Sequence, residues 1–322
     1  MNTPISRLAA FAERLRPDAA RLDTEDGLVR EWFDAFRNEG FHELGGSRAP
    51  LSGEEFAEVL ATLGAVSGAF AFVALQQIVA NMHLAVPEEP SWPVVGVAFG
   101  HLRNVAGPAP VWDGATVSGF VPWLTGANLF PEVILGMRTL DGDEVFARVD
   151  ARDRPAFRHS EPMPLIACAG TRTVTVRVDG LSVSPSQVLR SQPNGTMAEG
   201  DAQSVLYQTP LMVGCARACL SLIAASGRLG DEEKSRYRKT VKARLESVRE
   251  AFSGSDALQG RRLRARLGDL TVRLARLAVM ASGGSALITG HPAERLYREA
   301  LLYSLMAQTP EIVQDAFAEA LR

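Results

Sequence analysis

Cysteine is scarce in this chain. Its 322 residues contain three, Cys168, Cys215 and Cys219, too few for a disulfide framework in a chain of this length. Cys215 and Cys219 lie one helical turn apart on an apolar segment and read as buried free thiols. Net charge is also nearly missing: 34 lysines and arginines against 37 aspartates and glutamates leave −3, so no global field draws the protein to nucleic acid or a membrane surface. No apolar run reaches the roughly 18 residues of a membrane span. The longest, 63–80, is interrupted by Gly64, Ser67, Gly68, Gln76 and Gln77. Residues 1–13 carry no apolar stretch of the secretory type, and the expectation is a reducing, cytoplasmic setting. His42, His83, His101, His159 and His291 never fall at metal-ligand spacing, so no metal site is expected. Neither a Gly-x-Gly-x-x-Gly nor a Gly-x-Ser-x-Gly segment occurs, which removes the usual dinucleotide turn and the nucleophile elbow.

What is present is an ordinary globular composition. Hydrophobic residues make up 46% and charged residues 22%, which excludes disordered and fibrous classes. The length predicts two or three domains. Residues 5–85 read as helices: Leu28, Trp32, Phe33 and Phe36 form an apolar stripe that stops at Gly40, and Ser52 with Glu55 makes a capping box before a long apolar helix or helix pair. From Pro87 to Pro193 the texture turns to short β-branched runs between prolines and glycines. Residues 94–99, 116–120, 133–137, 145–149 and 173–178 read as strands of an antiparallel domain. Helical periodicity then returns over 203–227, 231–253, 257–284, 292–307 and 310–321. The expectation is an α+β chain: an N-terminal helical domain (1–88), a central antiparallel β-domain (89–195) and a C-terminal helical bundle (196–322).

An ordered set of segments carries a resemblance. Gly40-Phe41-His42-Glu43-Leu44-Gly45-Gly46 precedes an apolar helix. Val117 to Ala127 contains Pro122-Trp123-Leu124-Thr125-Gly126. Val176 to Pro185 follows. Gly283-Gly284 stands before Gly290-His291-Pro292, and Arg298-Glu299-Ala300 leads without a gap to Thr309. In this order the segments resemble the acyl-CoA dehydrogenase superfamily, whose flavin-contacting strand ends in Trp-Ile-Thr-Asn-Ala and whose C-terminal motif ends in Tyr-Glu-Gly-Thr. The resemblance implies the three-part fold, FAD as cofactor, an acyl-CoA or other small-molecule substrate, and a homodimer or homotetramer. It also implies an electron-transfer flavoprotein or oxygen as acceptor.

By the same resemblance, Trp123, Leu124 and Thr125 contact the flavin ring and Thr309 closes its site. Gly283 and Gly284 approach the flavin nucleotide across a subunit interface. Phe99 and His101 fall at the family's first flavin loop and are counted with the cofactor-binding residues, although the segment here lacks that loop's Thr-Glu-Pro-x-Ala-Gly-Ser-Asp. His101 either replaces a donor to the flavin or is a loop histidine. Arg228 is the candidate for the arginine that a neighbouring subunit brings to the flavin pyrophosphate. The largest departure is Ala307, which occupies the position of the family's catalytic glutamate, and alanine accepts no proton. The acids nearest the alternative base position, Glu199 and Asp201, read as solvent-exposed loop residues in a Gly-rich approach.

Three functions stay open on the sequence. The first is an FAD-dependent oxidoreductase on an acyl thioester or related compound with the usual base missing. The second is a flavin-dependent monooxygenase of the same fold, and the third a non-catalytic binding protein that has lost FAD. The basic runs around Lys234–Arg244 and Arg261–Arg276 read as solvated helical faces rather than a nucleic-acid surface.

Overall fold

A computed structural model describes residues 4–85, 91–203, 209–252, 257–306 and 309–320. Five helices come first: α1 (Pro4–Leu15), α2 (Ala19–Leu22), α3 (Asp26–Asn38), α4 (Gly53–Gly64) and α5 (Gly68–Asn81). Phe11, Phe33, Phe36, Phe41 and Phe70 are buried among them in edge-on, tilted and stacked contacts, with ring centroids 5.4–6.0 Å apart. The capping box expected from the sequence starts α4: Glu55 N–H donates to Ser52 Oγ (3.2 Å), and Ser52 N–H to Glu55 Oε2 (2.9 Å). Ser67 starts α5 in the same way, accepting from Phe70 N–H.

Eight strands follow: β1 (Val95–Ala98), β2 (Val111–Trp112), β3 (Thr116–Leu124), β4 (Glu132–Thr139), β5 (Glu144–Asp150), β6 (Phe157–His159), β7 (Val174–Ser182) and β8 (Val188–Gln192). They form one sheet in the order β6-β7-β3-β2-β4-β5-β8, with β1 beside β4. The sheet is antiparallel except at β4, which pairs in parallel with β1 and β2. A purely antiparallel reading misses these pairs because the chain reaches β4 from β1 and β2 through the strand β3 and not through a crossover helix. β3 and β7 also run further than the β-branched runs that announced them, to Leu124 and Ser182.

Six helices complete the chain: α6 (Thr196–Gln203), α7 (Pro210–Ala225), α8 (Asp231–Phe252), α9 (Ala257–Ser282), α10 (Pro292–Leu305) and α11 (Pro310–Ala320). The buried Glu144 carboxylate ties the sheet to the start of α6, accepting from Gly195 N–H, Met197 N–H and the Gln192 side chain (2.7–3.0 Å). Cys215 and Cys219 are buried free thiols on α7. No described helix is long and apolar enough to cross a membrane.

Candidate functional site

The segment that resembles a flavin-contacting strand begins on β3. Val117 and Val121 point into the core, whereas Ser118, Gly119 and Phe120 are exposed. Strict alternation would put residues 120 and 123 on opposite faces. The pairing with β7 shifts register between Val121, opposite Val176, and Leu124, opposite Val174. One extra residue on β3 makes a bulge. Leu124 thereby returns to the core, and Trp123 turns out to 52% exposure beside the 43% exposed Phe120. Across the same face Phe120 stands opposite Arg177, and Arg177 opposite Arg158, all three exposed.

The chain then turns at Thr125, which is 5% exposed. Its Oγ1 lies 3.2 Å from Thr173 Oγ1, which lies 2.9 Å from Thr171 Oγ1, and Thr171 donates to the Cys168 carbonyl at 2.7 Å. Backbone bonds from Gly126 N–H to Thr171 O (2.9 Å) and from Ala127 N–H to Arg172 O (3.2 Å) close the turn against the 168–173 loop.

These two facing loops hold every non-glycine left-handed residue among the described residues: Asn128 (φ 70°), Cys168 (φ 58°) and Arg172 (φ 47°). Such backbone persists only where its surroundings enforce it. The N-terminal helices supply that enforcement. Asp23 Oδ1 accepts from Cys168 N–H (2.6 Å), the Asp23 carbonyl from Gly170 N–H (2.8 Å), and Asp26 pairs with Arg172 (2.7 Å). The Arg30 guanidinium donates to the Asn128 carbonyl. Gly170 is required there by space: a Cβ would collide with the Leu22 carbonyl.

Behind the loop a buried ionic network joins the start of the chain to α10. Arg298 reaches Asp23 Oδ2 and the Ile166 carbonyl (2.6 and 2.7 Å), while Arg295 pairs with Glu299 (2.6 Å), which also accepts from Gly68 N–H (3.1 Å). Burial pushes the Glu299 carboxyl upward, against the opposing pull of Arg295. Burial likewise pushes the Cys168 thiol well up, reinforced by Glu299 and Asp23, so this cysteine is an inert thiol.

Phe99 and His101 lie together beneath β4. Phe99 is buried, in edge contact with Phe146 (5.6 Å) and His83 (5.6 Å), and the His101 ring is hydrogen-bonded to the Gly136 carbonyl through Nε2 (3.0 Å). Burial drives His101 down to about 4, helped by the nearby Arg138 and Arg103, and drives His83 down to about 4 as well. Both rings are neutral at pH 7. A neutral His101 whose Nε2 faces a carbonyl donates that N–H inward.

Gly283 and Gly284 end α9. Gly283 has φ 70°, and the Arg228 guanidinium occupies the space its Cβ would need; around Gly284 the space is open. Arg228 also lines a cleft of about 510 Å³ between α7, α8 and α9, walled by Ile223, Leu229, Tyr237, Leu277 and Met280. Among the described residues no carboxylate bonds to the Arg228 side chain. Glu233 and Arg236 line the same cleft beside it. Thr309 caps α11, its Oγ1 accepting from Ile312 N–H at 3.4 Å. Glu199 is exposed on α6. Ala307 lies outside the described residues.

The structure thus brings Thr125, next to Trp123 and Leu124, together with Thr173 and, through it, Thr171; it also brings Gly283 against Arg228. The threonine partners of Thr125 were missed because they lie 46 and 48 residues downstream. The alternating Thr171-Arg172-Thr173-Val174-Thr175 was the one available signal.

No family model matches the sequence, and no curated protein matches it. Solved structures do match, over nearly the whole chain. KijD3 in complex with FMN and dTDP-3-amino-2,3,6-trideoxy-4-keto-3-methyl-D-glucose superposes with a TM-score of 0.76 at 19% identity, covering 99% of this chain and 94% of that one. Butyryl-CoA dehydrogenase from Megasphaera elsdenii gives 0.73 at 15% identity, covering 99% of both. Dibenzothiophene monooxygenase (TdsC) from Paenibacillus sp. A11-2 gives 0.74 at 15%, covering 98% and 96%. At these identities the likeness concerns fold: this chain has the acyl-CoA dehydrogenase fold, an architecture used by dehydrogenases and monooxygenases alike.

Proposed function

We propose that the chain is a flavin-dependent oxidoreductase whose reaction does not rely on a carboxylate base, and that within this class it is an oxygenase. The observation that carries the flavin reading is Trp123. A β-bulge turns a large aromatic ring out of the sheet beside a turn clamped by strained backbone, and a protein exposes and rigidifies such a ring together for a planar ligand. Arg228, the apolar cleft and the open Gly284 suit the nucleotide half of FAD. In the family arrangement residues that hold that half are contributed by a second copy of the chain. The exposed Met280, Leu287 and Ile288 beside it fit such a subunit contact.

The chain's own residues then have separable tasks. Trp123 packs against the ring, the Thr125 turn meets its edge, and Arg228 neutralises a phosphate. Bound flavin supplies the redox chemistry. Dehydrogenation of an acyl thioester additionally needs a base within reach of the α-proton. Ala307 provides none, Glu199 faces solvent, and the buried Glu299 is committed to Arg295 and Gly68. Oxygen chemistry makes no such demand, and the dibenzothiophene monooxygenase shares the fold.

The test is visible absorbance of the purified protein with FAD, followed by anaerobic reduction and mixing with oxygen. Fast consumption of oxygen by the reduced, protein-bound flavin supports the oxygenase reading. Slow reoxidation together with reduction by an acyl thioester returns the protein to the dehydrogenases. Failure to bind flavin leaves a binding protein on an enzyme fold.

A further inference from the structure

The hydroxyl groups behind Thr125 form a chain whose direction is fixed. A threonine hydroxyl has one hydrogen to give. Thr171 Oγ1 lies 2.7 Å from the Cys168 carbonyl. A carbonyl has no hydrogen, and two oxygens that close need one between them. Thr171 therefore spends its hydrogen on Cys168. At the 2.9 Å contact between Thr171 and Thr173 the hydrogen must come from Thr173, and at the 3.2 Å contact between Thr173 and Thr125 it must come from Thr125. Thr171 and Thr173 are 0% and 1% exposed, so water does not compete for the bonds they make, and Thr125, at 5%, is the member of the chain nearest the surface. The terminal acceptor is also held in place: Cys168 is left-handed, with its N–H on Asp23. What remains on Thr125 Oγ1 is lone-pair density alone.

We infer that Thr171 and Thr173 are positioning residues that make Thr125 Oγ1 an obligate hydrogen-bond acceptor toward the ligand of this site, and that the site thereby selects reduced over oxidised flavin. The inference rests on the reading of Thr125 as the residue that meets the flavin edge. The central nitrogen of that edge, N5, carries a bare lone pair in oxidised flavin and an N–H in reduced flavin. An acceptor that cannot turn into a donor repels the first and bonds the second. This is the selectivity expected where flavin arrives or works in its reduced form.

The test is the ratio of dissociation constants for reduced and oxidised FAD, or equivalently the midpoint potential of the bound flavin. Wild type should bind reduced FAD the more tightly, holding the potential above that of free FAD. Thr173→Val keeps the side-chain shape and releases the Thr125 hydrogen for donation. It should cut the preference by about tenfold, a hydrogen bond's worth, moving the potential down by about 30 mV for the two-electron couple. Thr173→Ser, which restores the relay, should restore the potential. Thr125→Ala removes the acceptor and should lose the same preference, so the inference stays testable should Thr173→Val not fold. Folded variants that bind flavin at an unchanged potential would overturn the relay while leaving the flavin reading intact. A wild-type protein that binds FAD in neither redox state overturns both.

Discussion

Trp123 faces solvent because one extra residue interrupts the pairing of β3 with β7. Its sequence context marked it out, yet period-two alternation alone places it on the face opposite Phe120. The bulge depends on a partner strand some 50 residues away, which local pattern does not encode. Thr125 is similar. Its identity was legible, but its hydroxyl relay was not, since Thr171 and Thr173 reach it only through the fold. Because Trp123 is half-exposed and packs little of the core, Trp123→Ala should change the melting temperature by no more than about 2 °C. The same variant should weaken flavin binding at least tenfold by fluorescence titration. Unchanged flavin affinity would remove Trp123 from the site. His101 and His83 make a further residue-scale prediction. Each is neutral in the fold with its pKa lowered to about 4, against about 6.5 when unfolded. The unfolded chain therefore binds more protons between pH 6.5 and 4, and stability falls as the pH drops through that window. The loss should be on the order of 2 kcal/mol per histidine by urea denaturation. His101→Gln should flatten the dependence.

At the scale of elements, the 168–173 loop matters most. Ser52 with Glu55 announced the start of α4, whereas all of α6 but Gln203 lies outside the segments that read as helical; at the start of α10, His291 Nδ1 accepts from Ala293 N–H (3.1 Å). Strand cores were legible from β-branched runs. The short strands β2, β6 and β8 were not, since two to five residues carry too little pattern. Least legible was the clamp that Asp23, Asp26 and Arg30 place on loops of the central sheet, which joins residues more than 90 apart in sequence. The clamp rests on close backbone approach, so Gly170→Ala forces a Cβ into the Leu22 carbonyl. It should destabilise the protein by about 2–4 kcal/mol in chemical denaturation. Arg298→Met leaves the buried Asp23 carboxylate without its cation and should cost about 3 kcal/mol or more. An unaffected Arg298→Met variant would show that the network does not hold the loop.

For the whole molecule, helices, strands and helices recur in the order expected from texture, and the order of motifs indicated the fold before any coordinates. Function is less legible because one fold hosts several chemistries. On the proposed reading, what separates them here is Ala307 where the resemblance implies a glutamate, Arg228 lodged over the Gly283 turn, and the direction of three hydroxyl hydrogens. The first of these is visible in the sequence; the other two need the structure. The most direct test of the account is the visible spectrum of the purified protein titrated with FAD in its oxidised and reduced states, beside Trp123→Ala. The account predicts saturable binding in wild type, tighter for the reduced form, and loss of that binding in the variant. Absence of flavin binding in either state, or equal binding by Trp123→Ala, would contradict it.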